Sequence, residues 1–254
     1  MLNLATKILT SSPNKTHIFS LGQAGFIIKS ASGQLLAIDL YLSECVERLE
    51  KSDGFNRLLP KILNPSDVAF DVVICTHAHY DHFDVDSVPL MLANKNTKLL
   101  CSYGCKTLVD SLLLDYYYSQ TTYVKSGDCI KIGDFDITFV SCDHGTAAPD
   151  AVGVVVKVDG KIIYEVGDSC LRLDNISEIP QPLDVLIAPI NGMYGNMNEE
   201  ECSILADKLG AKVTIPCHYG MFASHKGNVG IFYDIMKQKN LHTVIMPFGG
   251  QYTL

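Results

Sequence analysis

Short apolar runs, broken by glycine and serine, open the chain. HIFSLG (17–22), GFIIKS (25–30) and QLLAIDLY (34–41) each predict a strand. The mixed stretch 42–70 predicts a helix with loop. DVVICT (71–76) is continuously apolar, as expected of a strand covered on both faces. A helix is expected over 86–93, capped by Asp86 or Ser87, then a strand at KLLCS (98–102) and a helix over 105–114. The middle is strand-rich: TTYVK, DCIKI, DFDITFVS, AVGVVVKVDG and KIIYEVG alternate or run apolar between turn signals.

The second half returns to strands alternating with helices. LDVLIAP (183–189) and AKVTIPCH (211–218) predict buried strands, and 197–210 and 228–240 predict amphipathic helices, the first closed by Gly210. HTVIMPF and GGQYTL predict short closing strands. No Pro/Gly-rich linker, low-complexity tract or strong repeat divides residues 1–254, which predicts a single domain. Strands clustered centrally with helices toward both ends fit an α/β (α+β) protein built as a four-layer αββα sandwich.

Composition narrows the function. Twenty basic and 28 acidic side chains give a formal charge of −8, and 47% of residues are hydrophobic. Such a chain buries a core rather than remaining disordered. The acidic balance argues against nucleic-acid binding, which needs clustered lysine and arginine. No apolar run of about 18 residues predicts a membrane span, and the first residues lack a leader pattern, so the expected location is cytoplasmic. Nine dispersed cysteines do not form a disulfide framework, and the Cys101/Cys105 pair has no second pair to complete a zinc knuckle.

The densest chemistry is THAHYDH (76–82), directly after a buried strand. His77, His79, Asp81 and His82 fall within six positions that hold three of the chain's eight histidines. Imidazole nitrogen and carboxylate oxygen suit zinc, manganese or iron. In an extended turn His77 and His79 point the same way, while Asp81 and His82 turn toward a second ion. His144 in VSCDHGTA, Asp168 in EVGDSC and His218 in TIPCHYG each follow a predicted strand and bring the candidate ligands to seven.

The order HxHxDH, His, Asp, His resembles the metallo-β-lactamase superfamily. LGQAGFIIKS, AIDLY, DVVICTHAHYDHFDVDS, LDVLIAPINGMYG and PFGGQYTL look like its L-ascorbate-6-phosphate lactonase-like branch. The resemblance implies the αββα fold and two divalent ions per chain, zinc or manganese, with iron also compatible. His77, His79 and His144 would hold one ion, Asp81, His82 and His218 the other, and Asp168 would bridge. Asp39, after the third strand, would support a ligand from behind. A metal-bound hydroxide, oriented by Asp81 and Asp168 as catalytic groups, would attack a lactone, an ester or a phosphorylated sugar derivative.

Substrate candidates are Asn191, Tyr194 and Asn196 in INGMYGN, with Tyr219, His225 and Lys226 in HYGMFASHKGN. Lys226 would meet an anionic group as a point charge. Arg172 is a weaker anion candidate, and the Tyr116–Tyr118 run a candidate stacking or interface surface. The expected partner is therefore a small, anionic substrate, with a homo-oligomer compatible with the hydrophobic fraction. Two alternatives use the same residues: a phosphodiesterase on small cyclic nucleotides or nucleic acid, and a non-catalytic metal-binding regulatory module.

Overall fold

The computed structural model describes residues 3–112 and 115–254, with the side chains of 115 and 116 left out. In chain order the elements are α1 (Leu4–Thr10), β1 (His17–Ser20), β2 (Phe26–Lys29), β3 (Leu35–Ile38), α2 (Cys45–Glu50), β4 (Val72–Cys75), α3 (Val88–Met91) and β5 (Lys98–Ser102). Then come α4 (Lys106–Ser111), α5 (Asp115–Gln120), β6 (Thr121–Val124), β7 (Cys129–Ile132), β8 (Phe135–Ser141), β9 (Val152–Val158) and β10 (Lys161–Glu165). The chain closes with β11 (Val185–Pro189), α6 (Glu199–Leu209), β12 (Val213–Cys217), α7 (Val229–Gln238) and β13 (Gln251–Thr253).

Among the described residues, seven strands form one sheet in the order β13-β1-β2-β3-β4-β5-β6, and six form the other, β12-β11-β10-β9-β8-β7. Both sheets are mixed: β3 through β6 pair in parallel, β10 through β12 likewise, and the rest are antiparallel. The two sheets face each other across an apolar layer that includes Ile28, Ile38 and Ile74 from one and Phe139, Val154 and Ile187 from the other. The outer face of the first sheet is covered by the α1–α5 side, through Ile8, Val88 and Val109. The outer face of the second is covered by α6 and α7, through Leu205, Phe232 and Met236. This is the expected four-layer αββα arrangement. Burial on both faces explains why β3 and β4 are apolar without alternation.

Several local expectations change. LATKILT forms α1, because Asn3 caps the Ala5 N–H and Leu4, Ala5 and Ile8 bury one face. The helix expected over 86–93 contracts to Val88–Met91. The helix expected over 105–114 starts as a 3₁₀ turn and continues as α4; its last two positions lie outside the described residues. HTVIMPF forms no strand. It makes one bridge, Thr214 to Thr243, before Pro247 removes a ladder donor. The tyrosine run lies in α5, where Tyr117 is buried and Tyr118 exposed, while Tyr116's side chain is outside the described set. Among the described residues no helix is long and apolar enough to cross a membrane.

Candidate metal centre

All seven predicted ligands meet where the strand ends of both sheets come together. His77–His82 follows β4, His144 follows β8, Asp168 follows β10 and His218 follows β12. The Val152 N–H donates to Thr76 O (3.2 Å), joining the two sheets at this edge. The loop after β4 closes as one tight turn, with the His82 and Phe83 N–H groups both donating to His79 O and Phe83 anchored in the core. That turn gathers all four side chains at one place, with the His77 ring 4.6 Å from that of His79 and 4.0 Å from that of His82. Gly167 precedes Asp168 with φ +71°, and a Cβ there would meet Val152 O at 2.9 Å, so only glycine lets this loop approach so closely. His218 itself adopts φ +61°, held by its N–H donating to Gln23 O.

The donor atoms fall into two groups, one of His77, His79, His144 and Asp168 and one of Asp81, His82 and His218. His79 Nδ1 lies 2.9 Å from His77 Nε2 and 3.3 Å from His144 Nε2. His82 Nε2 lies 3.4 Å from His218 Nε2. Asp168 faces both groups: Oδ1 is 3.0 Å from His218 Nε2 and 3.4 Å from His82 Nε2, while Oδ2 is 3.6 Å from His144 Nε2. Asp81 Oδ2 lies 3.5 Å from His218 Nε2 and 3.7 Å from His82 Nε2.

Asp39 stands behind His82. Its carboxylate accepts from the Thr76 N–H (2.8 Å) and hydroxyl (2.6 Å) and contacts His82 Nδ1 at 2.7 Å. This fixes the proton on Nδ1 and turns Nε2 into the site.

Burial and mutual repulsion shape the charges. Burial, reinforced by His82, holds the His77 pKa well below the usual imidazole value. Burial also opposes charge on His82 and His218, but the surrounding carboxylates, Asp168 foremost, outweigh it. His82 is raised well above its ordinary value and His218 is pushed up to about 9. Against the same burial, the histidines drive Asp81 and Asp168 below the usual carboxylate range.

Asp81, Asp168, His79, His144 and His218 line a cleft of about 440 Å³, together with Tyr194 and His225. His225 stacks on His218 (ring centroids 4.8 Å apart), and burial, with His218 beside it, lowers its pKa to about 4. Asn191, Asn196, Tyr219 and Lys226 are not part of the cleft lining. Asn191 and Asn196 are buried in the loop that carries Tyr194, and Lys226 is exposed. Arg172 pairs with Asp174 rather than reaching the site.

Three residues that matter here carried no sequence signal. Gln23 is 2% exposed, and its Nε2 contacts Asp81 Oδ2 (2.7 Å), His218 Nε2 (3.0 Å) and His225 Nδ1 (3.2 Å). Phe55 lines the cleft. Asp84, fully buried, accepts from the N–H and hydroxyl groups of Ser43 and Ser87 and from the N–H groups of Leu42 and Asp86, tying the ligand loop to the chain after β3.

A two-sheet sandwich with a histidine and aspartate cluster at its joined strand ends defines the metallo-β-lactamase fold class. Consistent with this, residues 17–218 match the beta-lactamase superfamily domain, and the chain belongs to that superfamily. A UPF0173 metal-dependent hydrolase of Saccharolobus solfataricus is 28% identical over 204 residues, covering 78% of this chain and 87% of the relative. Among solved structures, Igni18, a metallo hydrolase from Ignicoccus hospitalis, superposes with a TM-score of 0.73 at 20% identity, covering 94% of this chain and 98% of its own. An isothiocyanate hydrolase from Delia radicum gut bacteria gives 0.70 at 18% identity, covering 94% of this chain and 98% of that one. These two likenesses speak to the fold.

Proposed function

We propose that the protein is a metal-dependent hydrolase with a dinuclear centre, acting on a small lactone or ester. The observation that carries this reading is Asp168, whose two carboxylate oxygens face two separate groups of donors. The donor set fits divalent ions. Ring nitrogens that oppose each other at 2.9 and 3.4 Å are repulsive when both present lone pairs, and a shared cation relieves this. An all nitrogen and oxygen set without thiolate suits zinc, manganese or iron. His77, His79 and His144 would hold one ion and Asp81, His82 and His218 the other, with Asp168 between. When bound, such ions supply Lewis-acid polarisation and a nucleophile at neutral pH.

The chain's own residues do the rest. Asp39 keeps His82 in the ligating tautomer. Asp81, steadied by the Gln23 amide, is placed to orient an attacking oxygen, and Asp168 to accept its proton. Tyr194 and His225 close the cleft side. The relatives named as metal-dependent hydrolases support the hydrolytic class. The lactonase-like branch rests on the segments LGQAGFIIKS, LDVLIAPINGMYG and PFGGQYTL. The test is elemental analysis of protein purified without chelators, followed on the same sample by lactone and phosphodiester turnover, for wild type and Asp168→Ala. Two ions per chain and lactone turnover, both lost in Asp168→Ala, are expected. Two ions with phosphodiester turnover alone would replace the lactone reading, and metal-free protein after reconstitution would refute the dinuclear one.

A further inference from the structure

One wall of the cleft is built from rings. Phe55 lies 5.8 Å from Tyr194, and edge-on to His225 at 5.8 Å. Tyr194 also packs on His225 at 5.4 Å. The wall is held in place from behind. The Ser224 N–H donates to Gly54 O, and the Leu58 N–H to Met221 O, so the loop carrying Phe55 is stitched to the loop carrying His225. Gly54 has φ +85°, and a Cβ there would meet the Ser224 backbone at 3.0 Å. Tyr194 holds a left-handed backbone (φ +57°) and remains 51% exposed. A large ring kept in a strained conformation with half its surface open is an apolar face that the fold itself does not fill. Val46 and Ala147 extend the same lining.

The charges in the cleft point the same way. Apart from the candidate ligands and His225, the one ionisable group of plain charge lining the cleft among the described residues is Glu50. Among the described residues no lysine or arginine lines it. Arg57 is spent on Tyr41 O, Ser43 O and Leu59 O and on the Tyr41 ring, Arg172 on Asp174, and Lys226 lies outside. A distal phosphate or carboxylate would find no counter-ion there and would meet Glu50, in a chain already carrying −8.

We infer that the cleft selects uncharged lactones or esters with an apolar tail, that Phe55 and Tyr194 hold the tail, and that Glu50 turns away tails ending in an anion. This rests on the hydrolytic reading above and replaces the anionic substrate expected from sequence. A cleft of about 440 Å³ suits a small molecule of that kind.

The experiment compares δ-valerolactone, δ-decalactone and a δ-lactone with the same five-carbon tail ending in carboxylate, on metal-reconstituted wild type, Phe55→Ala, Phe55→Leu and Glu50→Gln. In parallel, calorimetry on metal-free protein follows binding of 3-pentylcyclohexanone, the carbocycle that cannot be hydrolysed. The pentyl tail is expected to raise wild-type kcat/KM on the order of thirtyfold, about what half-burial of five methylenes gives. Phe55→Ala is expected to lose roughly tenfold of this on δ-decalactone and under twofold on δ-valerolactone, with Phe55→Leu between. The carboxylate tail is expected to lower kcat/KM roughly fivefold in wild type and under twofold in Glu50→Gln. Equal kcat/KM for the two neutral lactones, or equal loss on both in Phe55→Ala, would overturn the tail pocket. A carboxylate tail turned over as well as the neutral one would overturn the role of Glu50. Ketone binding that Phe55→Ala weakens at least fivefold, with no lactone turnover by any variant, would leave the wall standing and remove the hydrolytic reading instead.

Discussion

Replacing Asp39 by asparagine tests how the centre is held together. Asparagine fits the site: it tolerates the left-handed backbone at this position (φ +48°), and its carbonyl can still accept the Thr76 N–H bond. The change falls on Oδ2, which becomes an NH₂ donor. The Thr76 hydroxyl can rotate to accept from it, but His82 Nδ1, 2.7 Å away, must then give up its proton and accept. That moves the imidazole proton to Nε2, the nitrogen facing Asp168 and His218, where it blocks coordination. Losing the partner that orients a ligating histidine lowers metal affinity about 10- to 100-fold, or about 1.4 to 2.7 kcal/mol. Asp39→Ala goes further, stranding the buried Thr76 N–H and hydroxyl, and should unfold about 2 to 5 kcal/mol more easily. The assay is competition for zinc or manganese against a chromophoric chelator, paired with urea unfolding of the metal-free proteins. Under the proposed assignment, Asp39→Asn should bind more weakly than wild type the ion that His82 would hold, at little loss of stability. Wild-type affinity for every ion in Asp39→Asn would refute the tautomer argument.

Asp84→Ala leaves the buried Leu42 and Ser87 donors and the half-buried Ser43 donors without their shared acceptor, and should cost about 3 to 5 kcal/mol in urea unfolding of the metal-free protein; a loss under 1 kcal/mol would show that water replaces the carboxylate freely. The metal-free protein should also be pH-sensitive. The His218 pKa rises from 6.5 to about 9 on folding, so its stabilisation is full below pH 6.5 and is lost as the pH climbs through 9, on the order of 3 kcal/mol. Thermal melting of chelator-treated protein between pH 6.5 and 9 should show that decline, and metal, which bound as proposed would displace the same proton, should abolish it; a flat metal-free profile would contradict the assignment.

What the residues announced, and what they hid, divides along the range of the contacts. The two-sheet layering was legible because strands covered on both faces must be apolar throughout, as DVVICT and LDVLIAP are. The cluster at 76–82 was legible because histidine and aspartate rarely crowd for any other reason, and His144, Asp168 and His218 because each follows a strand. Gln23 was not, since its importance comes from reaching Asp81 and His218, 58 and 195 positions away. Phe55 sat in an irregular stretch whose place over the cleft depends on Ser224. Lys226 misled in the opposite direction: adjacency to His225 along the chain put it beside the site on paper, while the backbone turned it to solvent.

The convergence of loops from opposite sheets has a consequence for how such a protein can change. Asp39 and the 77–82 loop ride on one sheet, and His144, Asp168 and His218 on the other. The thickness of the apolar filling between them, set by side chains such as Ile74, Val154 and Ile187, therefore works as a gauge for the separation of the donors. Interiors packed to crystal density do not shrink evenly when one methyl is removed. A substitution far from any histidine could thus loosen the tolerance of the centre and let a larger ion in. Drift in the filling, with every donor retained, would then be one route by which members of this fold come to hold different metals.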